Sequence, residues 1–279
     1  MKIQFKNDIV TVFESALYRT TSTVADLGDL VIVTDPNWLP AEVGTIRDHV
    51  NRIAGGRPVY LFITHSDYDH IIGCGAFQDA VVVASDALST NNNKADILAE
   101  VLNFDHSFYI TRDYPIKYPE VDIKIVKDGQ SLRSDRPDLQ FFLASGHTED
   151  GAILLLRDQG IILAGDYLSN IEFPFVYFHL DQYRSTLLKI KEIVLSNKSV
   201  RLLIPGHGDT AKSRAEIFER ISKDLIYLDL LEMEAVTSKM PTDTANFIES
   251  YSSNPSLLAE HVKNVNNVKQ MLRKDLSDI

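Results

Sequence analysis

The stretch Thr64-His65-Ser66-Asp67-Tyr68-Asp69-His70 constrains this chain more than any other. It sets two imidazoles and two carboxylates directly after the apolar run Val59-Tyr60-Leu61-Phe62-Ile63. Alternate side chains of a strand face opposite ways, so four donors on one continuing strand cannot converge. A loop at the strand's end lets His65, Asp67, Asp69 and His70 point inward together. Such nitrogen and oxygen donors suit a divalent cation, and more distant segments normally complete the shell.

Three later stretches supply further donors. His147 lies in Ala-Ser-Gly-His-Thr after the apolar run Leu139 to Leu143, Asp166 in Leu-Ala-Gly-Asp-Tyr after Ile161-Ile162-Leu163, and His207 in Ile-Pro-Gly-His-Gly-Asp after Leu202-Leu203-Ile204. Each is a His or Asp just past a short strand and a glycine, which lets backbone bend close to a crowded centre. One such signal alone is usually a core or surface residue. Their joint order of loop, His, Asp, His points to a single metal site.

That order resembles the metallo-β-lactamase fold superfamily, and in particular its glyoxalase II-like hydrolases, over roughly residues 8 to 210. The family hallmark is Thr-His-x-His-x-Asp-His followed by Gly-His-Thr, Gly-Asp and Gly-His. The resemblance implies two divalent ions, one on His65, Asp67 and His147, the other on Asp69, His70 and His207, with Asp166 bridging. It further implies a hydrolase that uses a metal-bound hydroxide, with Asp69 orienting the nucleophile or carrying a proton. The departure is Asp67, where the usual residue is a second His; the DNA-uptake ComEC-type domains resemble this His-x-Asp-x-Asp-His form. A third carboxylate lowers the Lewis acidity of the pair and shifts preference from Zn²⁺ toward Mn²⁺ or Fe²⁺. Alternatively, Asp67 turns away and leaves one metal in the other half of the site.

With 279 residues, 44% hydrophobic and 24% charged, the chain can bury a full core. A formal net charge of −11 opposes binding to nucleic acid or anionic membrane. The single cysteine, Cys74, suits a reducing compartment and reads as a small buried residue. No export signal is visible and no apolar run reaches the roughly 18 residues that span a bilayer, so the expected location is the cytoplasm.

Along the chain, Ile3-Gln4-Phe5, Ile9 to Phe13 and Leu30 to Asp35 read as strands. By the resemblance, Asp35 supports the metal loop; the alternative is a plain turn residue. Val43, Ile46, Val50 and Ile53 predict a helix over 40–54, giving a βαβ-like unit whose strands end at the site. After a strand at 81–84, Asp86 is expected to cap a helix, Thr90 to Asn93 to break it and Ala95 to Val101 to restart it. The aromatic group Phe104, Phe108, Tyr109 and Tyr114, with His106, reads as pocket lining or as core. Strands over 121–126, 139–143, 152–156 and 161–164 form a second set, and the two sets flanked by helices imply an α/β fold, a four-layer αββα sandwich.

Residues 1–211 read as the metal-binding hydrolase domain and 212–279 as a C-terminal helical extension, with helices near 212–234 and 257–275. The extension either closes the substrate site, as the resemblance implies, or forms a packing or homodimer surface. By the same resemblance the segment 169–179 lies over the metals, which makes Tyr177, His179 and Tyr183 candidate substrate contacts. No serine triad, phosphate-binding glycine loop or dinucleotide fingerprint competes. No Arg or Lys at the metal loops offers a clamp for phosphoryl oxygens. The expected substrate is therefore a small-molecule carboxylic ester, thioester or lactone; the alternatives are a phosphodiesterase and, in another class, a metal-containing ligand-binding or sensor protein with little turnover.

Overall fold

The computed structural model describes residues 1–136, 138–251, 254 and 256–277, with side chains described as far as residue 274. A seven-stranded sheet runs in sequence order through β1 (Lys2–Lys6), β2 (Val10–Glu14), β3 (Thr21–Asp26), β4 (Val31–Thr34), β5 (Val59–Phe62), β6 (Val81–Ser85) and β7 (Ile123–Ile125). Its first three pairings are antiparallel and the last three parallel. The switch occurs where α1 (Pro40–Ala54) crosses from β4 to β5, because a parallel partner needs a crossover, and the chain after β5 enters the short α2 (Tyr68–Ile71). The second sheet has five strands, β8 (Gln130–Ser131), β9 (Leu139–Leu143), β10 (Ala152–Leu156), β11 (Ile161–Leu163) and β12 (Leu202–Ile204), in the order β12-β11-β10-β9-β8.

Both sheets are covered on both faces, so their central strands are apolar without interruption. In β10, Ala152, Leu154 and Leu156 enter the core between the sheets, while Ile153 and Leu155 face the helices. In β5, Tyr60 and Phe62 face the second sheet, and Leu61 packs with α1. On the far side, α5 (Leu180–Ser196), α6 (Arg214–Thr237) and α8 (Ser256–Ser277) share one core with the second sheet, and α7 (Thr244–Glu249) lies between α6 and α8. This is the αββα sandwich with helical C-terminal part. Leu187, Ile217, Leu228 and Val268 meet in that single core, so the C-terminal helices pack on the sandwich over a continuous apolar surface. Burial of an aliphatic side chain contributes about 1.5–3 kcal/mol.

Several local expectations change. A strand forms at Thr21–Asp26, where the polar Thr21-Ser22-Thr23 carries no hydrophobic signal. It is buried nonetheless, since its hydroxyls find acceptors: Thr21 Oγ1 donates to the Pro205 carbonyl at 2.5 Å and Ser22 Oγ to the Asp35 carbonyl at 2.7 Å. Ser85, not Asp86, caps α3 (Asp86–Thr90), accepting the Leu88 N–H at 3.0 Å. The aromatic group divides between surface and core: Phe108 and Tyr109 are 64% and 94% exposed, His106 is exposed, Tyr114 is buried in the core, and Phe104, near the end of α4 (Lys94–Ser107), packs on Trp38. Ser252, Ser253 and Pro255, which precede the last helix in the sequence, lie outside the described residues. Cys74 is buried. Among the described residues no helix is long and apolar enough to cross a membrane.

Candidate metal centre

The donors gather where strands of both sheets end. The Asp35 turn leaves β4, the His65 loop leaves β5, and His147, Asp166 and His207 follow β9, β11 and β12. Backbone bonds hold the two sheets together at this edge: Ala152 N–H donates to the Thr64 carbonyl at 2.7 Å and Thr21 N–H to the Gly206 carbonyl at 2.6 Å. Gly206 is required here. A Cβ at that position would sit 2.2 Å from Asp166 Oδ1 and 2.9 Å from the His70 ring.

All four imidazoles are oriented by the same device. His147 Nδ1–H donates to the Phe175 carbonyl at 2.8 Å and His207 Nδ1–H to the Tyr18 carbonyl at 3.0 Å. Carbonyls only accept, so Nδ1 carries the proton and Nε2 is left as the donor atom. His70 Nδ1–H donates to Asp35 Oδ2 at 2.9 Å. The same Asp35 oxygen accepts the Thr64 hydroxyl at 2.6 Å, which leaves that hydroxyl free to accept His65 Nδ1–H at 2.9 Å. Asp35 thus fixes two imidazoles, and the reading of it as a support for the loop fits this geometry better than a plain turn.

The inward atoms converge. Asp67 Oδ2 is 3.2 Å from His147 Nε2 and 3.7 Å from His65 Nε2. Asp69 Oδ2 is 3.4 Å from His207 Nε2 and 3.7 Å from His70 Nε2. Asp166 lies between the two groups, with Oδ2 3.6 Å from His65 Nε2 and 3.4 Å from both His147 and His207 Nε2, and Oδ1 3.1 Å from His70 Nε2. A tetrahedral ion with bonds of about 2.1 Å spaces its donors roughly 3.4 Å apart, so these separations are those of ligands and exceed most hydrogen bonds. His65 Nε2, His147 Nε2 and Asp166 Oδ1 are buried with no hydrogen-bond partner among the described residues. Buried polar atoms are rarely left so, and a cation would satisfy all three. The trios His65-Asp67-His147, Asp69-His70-His207 and His65-His70-Asp166 can each hold a metal ion.

Charge makes the same demand. Burial disfavours a protonated imidazole, yet Asp166 and Asp69 hold the His70 pKa well above its ordinary value, and Asp166 and Asp67 do so for His147. His207 is pushed up to about 10, with Glu172, Asp166 and Asp69 outweighing burial. Burial would raise Asp166, but His70, His207 and His65 draw it well below the carboxylate range. The cluster stabilises positive charge at its centre, as a cation site must.

Of the three candidate substrate contacts, Tyr177 stands at the open side. Its ring is 5.1 Å from the His147 ring and 43% exposed. His179 meets the loop through its backbone, whose N–H donates to the Gly146 carbonyl at 3.2 Å. Tyr183 is 1% exposed, and its hydroxyl donates to the Asp166 carbonyl at 3.3 Å, so it stands behind the donors. Sequence reasoning missed Glu172, whose Oε2 lies 3.9 Å from His207 Nδ1 and whose carboxyl is pushed up to about 6, chiefly by burial. It also missed the Tyr18 and Phe175 carbonyls, which as backbone atoms leave no residue-type signal.

The profile of the metallo-beta-lactamase superfamily matches residues 21–207. Among solved structures, a metallo-beta-lactamase family protein from Thermus thermophilus is 16% identical, with TM-score 0.61, 94% of this chain covered and 93% of that one, so the likeness takes in most of the C-terminal helices. The DIM-1 metallo-beta-lactamase is 15% identical, with TM-score 0.54, covering 79% of this chain and 95% of its own. A metallo-beta-lactamase from Pontibacter korlensis is 14% identical at TM-score 0.54, covering 79% and 97%. At these identities the structures speak for the fold, and the profile over two-thirds of the chain speaks for descent. The chain belongs to the metallo-beta-lactamase superfamily and is a metal-dependent hydrolase.

Proposed function

We propose that the chain hydrolyses a small-molecule carboxylic ester, thioester or lactone at a dinuclear centre, in the manner of the glyoxalase II-like branch. The observation that carries the substrate class is the sign of the charge around the donors. Glu172 borders His207, and Glu100 lies close enough to Asp67 and Asp69 for their charges to raise its pKa, after burial. Among the described residues no Lys or Arg is ion-paired with Asp67, Asp69, Asp166, Glu172 or Glu100. Phosphoryl transfer benefits from cationic clamps on the non-bridging oxygens, whereas acyl transfer needs one polarised carbonyl.

His65, Asp67 and His147 would hold one ion and Asp69, His70 and His207 the other, with Asp166 between them. Divalent ions there supply Lewis acidity, which brings the pKa of a bound water toward neutrality and polarises the scissile carbonyl. Asp69, whose side chain is 12% exposed, orients the attacking water and carries a proton toward the leaving oxygen or sulfur. Tyr177 presents its ring to the acyl or leaving group at the open side. The carboxylate at position 67 supports Mn²⁺ or Fe²⁺ alongside Zn²⁺. The buried, lone Cys74 supports a cytoplasmic setting.

The test is turnover of metal-stripped protein reloaded with Zn²⁺, Mn²⁺ or Fe²⁺ on a lactone, a glutathione thioester and a model phosphodiester. Carbonyl-ester turnover lost in Asp69→Ala is the expected result. Saturable phosphodiester cleavage would replace the substrate assignment. Tight metal binding without turnover on any of them would favour a ligand-binding role.

A further inference from the structure

The last helix touches the metal loops through one short segment. Residues 173–177 run past His147, and the Phe175 carbonyl in their middle accepts His147 Nδ1–H. On either side of that carbonyl, Asn264 of α8 grips the backbone. Its Nδ2 donates to the Pro174 carbonyl at 2.7 Å and its Oδ1 accepts Val176 N–H at 2.8 Å. A primary amide fits both ends of this grip, since a carbonyl can only accept and an N–H only donate. The second Nδ2 hydrogen goes to Tyr227 Oη at 2.9 Å, so both amide hydrogens of the buried Asn264 are used. Asn267 Nδ2 donates to the Val176 carbonyl at 3.1 Å, and Tyr177 Oη donates to Glu260 Oε2 at 3.5 Å. Glu260, Asn264 and Asn267 are spaced four and three apart, as residues on one helix face are. That face carries polar groups amid the apolar Leu257, Val265 and Val268, which pack on the core.

We propose that Asn264 is a positioning residue for the metal centre: through the 174–176 backbone it holds the Phe175 carbonyl where His147 needs it, and so sets the His65-Asp67-His147 half of the site from the C-terminal helix. This rests on the metal reading above. Its reach is one-sided. His70 and His207 take their orientation from Asp35 and the Tyr18 carbonyl, which α8 does not touch among the described hydrogen bonds. A partner that orients a ligating imidazole typically changes metal affinity by 10–100-fold, and Asn264 acts one bond further out, at the lower end of that range.

The experiment measures Zn²⁺ affinity by competition with a chromophoric chelator in two backgrounds. His207→Ala leaves the His65-Asp67-His147 half, and Asp67→Ala leaves the other. Asn264→Leu, which keeps the branched heavy-atom shape and removes the grip, is expected to weaken Zn²⁺ roughly tenfold in the first background and by less than about twofold in the second. In ¹⁵N-histidine spectra of the zinc-loaded protein, the His147 Nδ1–H is expected to exchange with solvent faster. Val268→Ala, a cavity in the same helix packing, is expected to lower the melting temperature without changing either affinity. Asn267→Leu repeats the comparison with about a threefold loss should Asn264→Leu not fold. Equal losses in both backgrounds, no loss in either, or an equal effect of Val268→Ala would overturn the proposal. Failure of the otherwise unaltered protein to bind Zn²⁺ would overturn the metal reading beneath it.

Discussion

The two halves of the donor cluster are built from the same residue types and held in different ways. In the half made by Asp69, His70 and His207, the side chains are 12%, 0% and 6% exposed, and the imidazoles rest on Asp35 and on a carbonyl next to β3. In the half made by His65, Asp67 and His147, the Asp67 side chain is 32% exposed and His147 rests on the 173–177 segment. One half is set into the edge of the sandwich; the other is open and leans on a loop. A site can therefore be symmetric in its ligands and asymmetric in its exposure and support, and the half with the exposed carboxylate is the one open to solvent.

Two carboxylates join the halves, Asp166 in front and Asp35 behind, and removing either tests how far the halves are independent. Asp166→Ala is expected to have the largest effect: both halves lose an oxygen donor and kcat/KM falls by more than about 10³-fold, beyond the 10–100-fold that an orienting partner costs. Metal content by elemental analysis checks this; two ions retained would show the halves to be self-sufficient. Asp35→Asn comes next, with Zn²⁺ affinity lowered roughly 10–100-fold in both halves, because the amide loses full acceptance from His70 and from Thr64, and through Thr64 from His65. Retention of one unperturbed site in a two-site titration would contradict this shared support.

Asp67→His sharpens the contrast in ligand chemistry. Nitrogen in place of oxygen is expected to raise the preference for Zn²⁺ over Mn²⁺ by roughly tenfold, read by competitive loading; an unchanged ratio would mean that Asp67 does not bind the metal. The smallest effect lies away from both halves. Asp224 is buried in α6 beside Tyr251, and burial pushes its carboxyl up to about 7. Between its ordinary value near 3.8 and about 7 the folded chain therefore holds a proton that the unfolded chain releases, so this residue subtracts stability as pH rises through that window. Asp224→Asn is expected to raise the melting temperature at pH 8 by roughly 3–10 °C relative to pH 4, leaving metal affinity unchanged. A pH-independent difference between variant and parent would refute it.

The positions of the donors were legible because each sits after an apolar strand in a short motif, and the apolar periods gave the two sheets and the main helices. What was not legible acts through the backbone or through polar residues in apolar places. The Tyr18 and Phe175 carbonyls orient two imidazoles, and any residue has a carbonyl. The strand Thr21–Asp26 carries no apolar signal at its start, and its hydroxyls bond backbone groups that only the fold brings near. Tyr183 was singled out for the right neighbourhood, yet its burial behind Asp166 could not be read from spacing. Glu260, Asn264 and Asn267 did carry a signal, a polar line along an amphipathic helix, which ordinarily means a solvated face.

His70 and His207 are 137 residues apart and belong to different sheets, and His65 and His147 are divided in the same way. An ion shared by either pair would be a reversible staple across the sandwich, closing a long loop as a disulfide would. At a free ion concentration a hundredfold above Kd, each staple adds about 2.7 kcal/mol against unfolding. Chelation should then weaken the join that the backbone bonds make at this edge, and the supply of metal would bear on how long the chain survives as well as on how fast it works.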